Sequence, residues 1–280
     1  DYNIAIGMEA LAANTTADNN VAIGYQSLDA NTTGADNTAI GTSSLGANTT
    51  GDYNVALGSS ALGANTTASN NVAVGYQSMD ANTIGEYNVA IGSSSLGANT
   101  SGEGNFGFGY QALAANTTGN NNVAVGKQAL LSNTTATSNV ALGEAALRTN
   151  TTGYSNTAVG GGGVMYYNTT GQDNTAIGVA ALKKNTTADN NVAIGGYALT
   201  ANTTGYDNVA VGKSSLVSNT TGLRNTAIGS DSLYTNTTGS YNSAIGYQAL
   251  YKNTTGNYNV ATGMSTLISN TTGASNTATG

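Results

Sequence analysis

The chain lacks proline, cysteine, histidine and tryptophan, and only 8% of its 280 residues are charged. Without cysteine or histidine it has no disulfide framework, no thiol nucleophile, no imidazole base and none of the commonest zinc ligands. The sequence therefore offers no catalytic centre. We expect a protein that is not an enzyme and that needs no cofactor or metal.

Positive charge is also scarce. Seven Lys and Arg residues against fourteen Asp and Glu residues give a formal net charge of −7. A chain of this charge has no basic footprint for nucleic acid or for an anionic membrane. Its apolar runs are a few residues long, whereas a membrane-spanning helix needs about 20. Neither nucleic-acid binding nor membrane insertion is expected.

What the chain has in excess is Gly, Asn, Thr and Ala, and these residues recur at a fixed spacing. An Asn that opens the phrase Asn-x-Ala-[Ile/Val/Leu]-Gly, or a near variant, returns every 17 residues, with one step of 18. Numbering each unit from that Asn gives sixteen complete copies and a seventeenth that stops at Gly280. The opening residues are Asn3, Asn20, Asn37, Asn54, Asn71, Asn88, Asn105, Asn122, Asn139, Asn156, Asn174, Asn191, Asn208, Asn225, Asn242, Asn259 and Asn276.

Most positions of the unit keep their residue type: Ala at position 3, an apolar residue at 4, Gly at 5, Leu or Met at 9, Asn at 12 and Thr at 13 and 14. The exceptions are Gly107 at position 3, Thr262 and Thr279 at position 4, and Ile84 and Ser101 at position 14. Positions 2 and 4 fall on one face of an extended segment and position 3 on the other, which is the period-2 pattern of a strand. A 17-residue unit is too short for a two-helix repeat. We predict an all-β fold, a parallel β-solenoid or β-roll of sixteen 17-residue coils, rod-like and continuous over residues 1–280. Its short strands are expected near positions 2–4, 7–9 and 12–14.

Equivalent residues of a solenoid stack about 4.8 Å apart, so each position forms a column. Ile and Leu columns are expected to bury apolar area, and charged residues to lie in turns or solvent. Stacked Asn carboxamides can donate to one neighbour and accept from the other, which satisfies polar groups in a buried turn. We expect structural Asn ladders at positions 1 and 12. The residues assigned to them are Asn20, Asn37, Asn54, Asn71, Asn88, Asn122, Asn174, Asn191, Asn208 and Asn225 at position 1, and Asn14, Asn31, Asn48, Asn65 and Asn82 at position 12.

Two phrases, Asn20-Val21-Ala22-Ile23-Gly24 and Asn174-Thr175-Ala176-Ile177-Gly178, are each followed within a few residues by a small residue and Leu. They resemble the head repeats of trimeric autotransporter adhesins and related repeats of phage and virus tail fibres. This resemblance implies a left-handed parallel β-roll, usually a homotrimer, on a cell or virion surface and with a binding role. The 17-residue unit is longer than the common head repeat, and the Asn-Thr-Thr-Gly phrase looks like an addition to it.

The position-12 Asn also begins an Asn-x-[Ser/Thr] sequon, the acceptor signature for N-glycosylation, in fifteen of the sixteen complete copies. The exception is Asn82, which is followed by Thr83 and Ile84. Two interpretations stay open: an edge that carries glycans through Asn or Thr, and an Asn ladder whose sequons are incidental. The candidate glycosylation sites are Asn14, Asn31, Asn48, Asn65, Asn99, Asn116, Asn133, Asn150, Asn168, Asn185, Asn202, Asn219, Asn236, Asn253 and Asn270.

Other patterns also have a functional and a structural interpretation. Adjacent threonines point to opposite faces of an extended segment, so ice binding would rest on a single exposed Thr column. Acids at position 16, such as Asp52 and Asp189, could bind calcium, but other copies place Ala or Leu there. The run Gly160–Gly163 could cradle a phosphate or absorb the one extra residue. Tyr-Gln phrases such as Tyr25-Gln26 could stack on sugars or make scattered surface contacts.

The sequence therefore predicts a structural or adhesive extracellular fibre segment, a rigid repeat rod of a surface adhesin or tail fibre. Its expected partners are further copies of itself, as a trimer or an end-to-end filament, and surface glycans. Two alternatives stay open: a self-assembling, glycosylated extracellular filament, and an ice-binding solenoid.

Overall fold

A computed structural model describes residues 2–280. The chain forms two compact units, Asp1–Ser138 and Asn139–Gly280. Their boundary coincides with a repeat boundary, because Asn139 opens a copy of the unit. All regular secondary structure in the described residues is β-strand, so the fold is all-β.

The first unit is a parallel β-solenoid in which each coil contributes one three-residue strand at positions 2–4 of the repeat. Branched side chains at positions 2 and 4 suit the pleated surface of a strand. Neighbouring strands pair in parallel and in register, so that Ala22 lies beside Ala39 and Ala39 beside Ala56. The strands are β1 (Ile4–Ile6), β2 (Val21–Ile23), β3 (Thr38–Ile40), β4 (Val55–Leu57), β5 (Val72–Val74), β6 (Val89–Ile91), β7 (Phe106–Phe108) and β8 (Val123–Val125).

The second unit repeats this parallel β-solenoid and contains the one coil of 18 residues. The extra residue does not shift the register, because Thr157 pairs with Val140 on one side and with Thr175 on the other. The turn at Gly160–Gly163 absorbs it, outside the strand. The strands are β9 (Val140–Leu142), β10 (Thr157–Val159), β11 (Thr175–Ile177), β12 (Val192–Ile194), β13 (Val209–Val211), β14 (Thr226–Ile228), β15 (Ser243–Ile245), β16 (Val260–Thr262) and β17 (Thr277–Thr279).

The strands expected at positions 7–9 and 12–14 are wrong, since the described residues form strands only at positions 2–4. Positions 7 and 9 adopt left-handed backbone geometry, with φ of 52° at both Gln26 and Leu28, and a β-strand excludes such values. Hydrogen bonds between coils nevertheless continue through these turns. The Leu28 N–H donates to Ser44 O over 3.0 Å, and the Thr32 N–H donates to Thr49 O over 2.9 Å.

The interior of each unit is thin and holds Ala at position 3, Ser or Ala at 8, Leu or Met at 9 and the two Asn columns. Leu28 and Leu216 are fully buried, whereas Ile40 at position 4 is 40% exposed. The expected burial of the Ile column is therefore wrong. Position 3 faces inward against position 9, as the interval of 3.4 Å between a Cβ built on Gly107 and Leu96 Cγ shows. The alternation of the strand then turns positions 2 and 4 outward.

Charged side chains avoid this interior. Every buried polar residue among residues 2–280 is Asn or Ser, and no Asp, Glu, Lys or Arg joins them. This confirms the expectation that charged residues lie in turns or solvent, where stacked like charges are screened by water.

Candidate functional site

The position-12 Asn side chains form a continuous amide ladder within each unit. Asn48 Nδ2 donates to Asn31 Oδ1 over 2.9 Å and to the carbonyl oxygen of Gly51, at position 15, over 3.0 Å. In the second unit Asn219 Nδ2 lies 2.8 Å from Asn202 Oδ1. Each interior amide thus uses both of its hydrogens and accepts one bond from the next coil, so its hydrogen-bonding groups are satisfied inside the protein. The assigned residues from Asn31 to Asn82 are fully buried, and Asn14 is half-buried.

The position-1 Asn side chains form a second ladder that also holds the backbone. Asn37 Oδ1 accepts the backbone N–H of Asn54 over 2.9 Å, and Asn37 Nδ2 donates to Gly51 O over 2.8 Å. Because Asn48 donates to the same oxygen, the two ladders meet at the position-15 carbonyl. The residues assigned to this ladder, Asn20 to Asn225, are buried.

Burial of the position-12 amides favours the second of the two open interpretations, an Asn ladder whose sequons are incidental. A glycan would replace one Nδ2 hydrogen of the ladder and would need space beside a side chain that is sealed from solvent. Asn14 and Asn270 are half-buried, and Asn270 Nδ2 donates to Asn253 Oδ1 over 3.0 Å. The other thirteen candidates are 0% exposed: Asn31, Asn48, Asn65, Asn99, Asn116, Asn133, Asn150, Asn168, Asn185, Asn202, Asn219, Asn236 and Asn253.

The threonines beside this ladder separate into an engaged column and an exposed one. At position 13, Thr32 Oγ1 donates to Thr49 O over 3.0 Å. At position 14, Thr33 and Thr50 are exposed, and Ile84 occupies the same column at 57% exposure. The prediction of one exposed Thr column is confirmed. Ice binding or glycosylation through Thr would have to rest on that column.

Two of the acids at position 16 accept hydrogen bonds from backbone amides of the preceding coil. Asp52 Oδ1 accepts the Ala35 N–H over 2.7 Å, and Asp189 Oδ1 accepts the Gln172 N–H over 2.9 Å. Over residues 2–280 no three acidic side chains come together in a group that could hold a metal ion. The geometry gives these carboxylates a capping role in the turn.

An outward-facing apolar surface extends over the strands of each unit. We call the apolar side chains at positions 2 and 4 of β1–β8, and those of β9–β16, the apolar face of the respective unit. Thr or Ser interrupts it at position 2 of six strands, and Thr takes position 4 of β16 and β17. Phe108 is 47% exposed and Ile245 is 41% exposed. At about 4.8 Å per strand, eight strands give a face roughly 34 Å long. Contiguous apolar surfaces of this kind mark interaction sites in soluble proteins. The sequence signal for this outward-facing surface was the Ala at position 3 between larger residues at positions 2 and 4. Because only the small residue fits the thin interior, its two neighbours must face outward.

Tyrosines stand on the outside of the coils. In the second unit Tyr241 and Tyr258 stack with ring centroids 5.0 Å apart, and the Arg224 guanidinium lies 5.6 Å from the centroids of Tyr206 and Tyr241. The hydrogen bond to Tyr241 and the 3.3 Å ion pair with Asp207 raise the pKa of Arg224, so it stays charged. The tyrosines of the Tyr-Gln phrases are all exposed: Tyr25, Tyr76, Tyr110 and Tyr247.

A small cavity lies beside the 18-residue coil. Its volume is about 250 Å³, and its lining includes Glu144, Tyr166, Tyr167 and Lys183. For the run Gly160–Gly163 the sequence indicated a phosphate cradle or a bulge that absorbs the extra residue, and neither interpretation included these side chains. The available signal was the single break in the 17-residue spacing, with a Tyr-Tyr pair three residues after the glycine run.

Comparison with models of known protein families and with curated proteins found no match to this chain. Within residues 2–280 there is no helix long and apolar enough to cross a bilayer.

Proposed function

We propose that this chain is a structural segment of an extracellular fibre, of the adhesin or tail-fibre kind, that associates with further copies of itself through the apolar face. The observation that carries the proposal is the partial exposure of an apolar side chain at position 4 on every strand from β1 to β8 in the first unit and from β9 to β15 in the second. The function is mechanical: it provides spacing and adhesion rather than catalysis.

The internal structure of the coils supports a mechanical role. Every interior rung contributes one Asn to each of the two buried ladders and one in-register strand, so equivalent coils hold one another through many short hydrogen bonds. Such a stack resists bending and local opening, because opening a rung breaks several buried bonds together. Repetition also presents the same lateral surface at each rung, which suits a symmetric association of identical chains.

The size of the apolar face indicates why association needs many coils. Full burial of an Ile is worth about 1.5–3 kcal/mol, so covering the two-fifths left exposed at position 4 contributes roughly 1 kcal/mol per rung. The first unit has eight apolar position-4 residues and the second has seven, because Thr262 and Thr279 occupy that position in β16 and β17. The sum is then at most about 7–8 kcal/mol per unit, against an association cost of about 4–15 kcal/mol. The resemblance of the repeat implies three chains in the assembly.

The test is the association state of the full chain in solution, measured by analytical ultracentrifugation. We expect a trimer for the natural sequence. The triple variant Ile194→Lys, Ile228→Lys and Ile245→Lys places charge on the apolar face and should shift the equilibrium to monomer. The matched control carries Thr204→Lys, Thr238→Lys and Thr255→Lys, on the exposed position-14 column of the same coils, and should remain a trimer.

A natural chain that stays monomeric over the whole accessible concentration range would contradict the proposal. Equal dissociation of the two triple variants would also contradict it, because association would then not depend on the apolar face. Far-ultraviolet circular dichroism of each variant distinguishes dissociation from unfolding.

A further inference from the structure

We propose that the cavity beside the 18-residue coil binds one sugar ring of a surface glycan. Tyr166 and Tyr167 form its aromatic wall, and Glu144 and Lys183 supply its polar groups. The inference adds a ligand to the adhesive role proposed above and rests on that role for its biological meaning only. Its test is binding of free sugars, which does not depend on the association state.

The extra residue of the coil builds the cavity. Gly162 and Gly163 have φ of 65° and 69°, so the chain loops through the left-handed region where Gly is favoured. A Cβ on Gly163 would lie 2.9 Å from Tyr166 Cδ2, and the absence of that atom lets the tyrosine ring approach the loop. The glycine run therefore makes the space and sets the position of the aromatic wall.

The aromatic wall is held in place. The rings of Tyr166 and Tyr167 meet edge to face, with centroids 4.7 Å apart and planes inclined at 66°. Arg148 Nη1 donates to the Tyr166 hydroxyl oxygen over 2.8 Å, and the guanidinium carbon lies 5.6 Å from the ring centroid. Tyr167 remains 48% exposed at the cavity. A fixed ring beside an open ring suits the apolar C–H face of a pyranose.

Other tyrosines of the second unit do not offer this surface. Tyr234, at the same position of its coil as Tyr166, stacks on Tyr251 with centroids 5.0 Å apart and planes inclined at only 14°. In that parallel pair each ring covers a face of its neighbour. The inclined pair at the 18-residue coil instead forms a corner into which a third ring can fit.

The polar lining selects a neutral, hydroxyl-rich ligand. The Glu144 carboxylate accepts hydrogen bonds and the Lys183 ammonium donates them, and adjacent hydroxyls of a sugar provide both complements. Glu144 opposes an anion such as a phosphate, and Lys183 opposes a cation. The volume of about 250 Å³ is below the roughly 300–1,000 Å³ of drug-sized sites, so it accommodates one ring rather than a longer chain.

The experiment is saturation-transfer NMR on the full chain with the methyl glycosides of glucose, galactose and N-acetylglucosamine. A ligand of this size is expected to bind with a dissociation constant of about 1 mM. At least one glycoside should receive saturation at its ring protons. Absence of transfer from the natural chain to all three, at concentrations up to about 10 mM, would overturn the proposal.

Matched variants locate the site. Tyr167→Ala and Tyr167→Leu should each weaken binding at least about fivefold, because neither retains a ring. Tyr154→Ala, at an exposed tyrosine of the same unit outside the cavity, should bind as the natural chain does. Lys183→Ala should weaken binding, whereas its exposed neighbour Lys184→Ala should not. Equal transfer to all four tyrosine and lysine alanine variants and the natural chain would contradict the assignment.

The two proposals fail separately. A trimer that gives no sugar signal contradicts only the cavity, and a monomer that binds sugar through Tyr167 contradicts only the fibre. Circular dichroism of Tyr167→Ala and Tyr167→Leu shows whether a loss of binding comes from unfolding, and loss in two folded variants supports the site.

Discussion

Asn20 and Asn31 donate to the same acceptor: the Nδ2 atom of each lies 2.9 Å from the carbonyl oxygen of Gly34. One residue opens the coil at its strand and the other lies in the opposite turn, so this oxygen connects the two Asn ladders. Both lone pairs of a buried carbonyl are thereby used. Positions 1, 12 and 15 are therefore linked by hydrogen bonds, and the loss of one Asn should destabilise the coils above and below it.

Removal of one ladder amide should destabilise the first unit. Asn99 Nδ2 donates to Asn82 Oδ1 over 2.8 Å, and Asn116 Nδ2 donates to Asn99 Oδ1 over 2.9 Å. Asn99→Ala leaves a buried acceptor and a buried donor without partners, at about 1–3 kcal/mol each. We expect the free energy of unfolding from urea denaturation to fall by about 3 kcal/mol.

The control for that measurement is Thr118→Ala on the exposed position-14 column, which should change the free energy by no more than about 0.5 kcal/mol. Similar effects of the two substitutions would show that the ladder contributes little. A smaller denaturant slope for Asn99→Ala would indicate that one part of the repeat unfolds before the rest.

The glycines at positions 5 and 10 should respond differently to a methyl group. Gly75 has φ of 134°, and a Cβ there would lie 2.7 Å from the carbonyl carbon of Gly92. Gly75→Ala should therefore cost about 3 kcal/mol or more, from backbone strain and from the clash with the next coil. Gly63 at position 10 has room, since its Cβ would lie 3.4 Å from Ser60 O. Gly63→Ala should be neutral or stabilise by up to about 1 kcal/mol.

Thermal unfolding of the two alanine variants checks this difference. Equal losses would mean that the left-handed geometry at position 5 is not required for stacking. The chain itself provides a precedent for the control, because Ala114 occupies position 10 of another coil.

The repeat predicted the solenoid because a stacked ladder requires the same residue type at a constant spacing along the chain. Asn, Ala and Leu recur at such a spacing of 17 residues, with one step of 18. It could not predict the path between ladders. Leu28 and Gln26 have ordinary side chains for an extended chain, yet both take φ of 52°. Left-handed geometry at a Leu carries no signal in sequence, since its cost is offset only by burial and coil-to-coil hydrogen bonds that appear after folding.

The candidate sites were less predictable than the fold. A sequon at position 12 has the same sequence whether its Asn is buried or exposed. Only the hydrogen bonds and burial of the ladder show that the Asn side chain is buried. The direction of Ile40 depends on the thickness of the interior, which Ala39 sets and which a pattern of apolar residues does not reveal. The cavity at Tyr166 depends on the path that the backbone takes around one extra residue. No other copy of the repeat has an extra residue from which that path could be predicted.

Stability should depend on pH through Asp80. Burial is the largest cause that raises the pKa of this carboxyl, and the backbone N–H groups of Asp80 and Ala81 partly lower it. Because the pKa of Asp80 is higher in the folded state than in the unfolded state, its protonated form favours folding. This contribution to stability is complete below the unfolded-state pKa of 3.8 and is lost as pH rises through the folded-state pKa. Asp80→Asn should therefore stabilise the chain at pH 7, by no more than about 1 kcal/mol. The difference from the natural chain should shrink below about pH 3.8.

Urea denaturation at neutral and acidic pH measures this contribution. A difference between Asp80→Asn and the natural chain that is equal at both pH values would contradict the assignment to proton binding. A loss of stability at neutral pH would indicate that the hydrogen bonds to the carboxylate outweigh its desolvation.

Placing a carboxylate in the position-12 ladder should make stability strongly dependent on pH. In Asn99→Asp one oxygen can still accept from Asn116, but the other would face Asn82 Oδ1 and Gly102 O, to which the native amide donates over 2.8 and 3.0 Å. Two acceptors then oppose a buried negative charge, so the folded-state pKa of the new carboxyl should rise above about 3.9.

At pH 7 the Asn99→Asp variant should be less stable than Asn99→Ala. As pH falls through the raised value, the protonated carboxyl can donate one bond and stability should recover relative to the natural chain. Urea denaturation of both variants at pH 7 and pH 4 measures the free energy of unfolding. The alanine variant should differ from the natural chain by the same amount at both pH values. If the aspartate variant also differed by the same amount at both, the position-12 side chains would not be sealed from water.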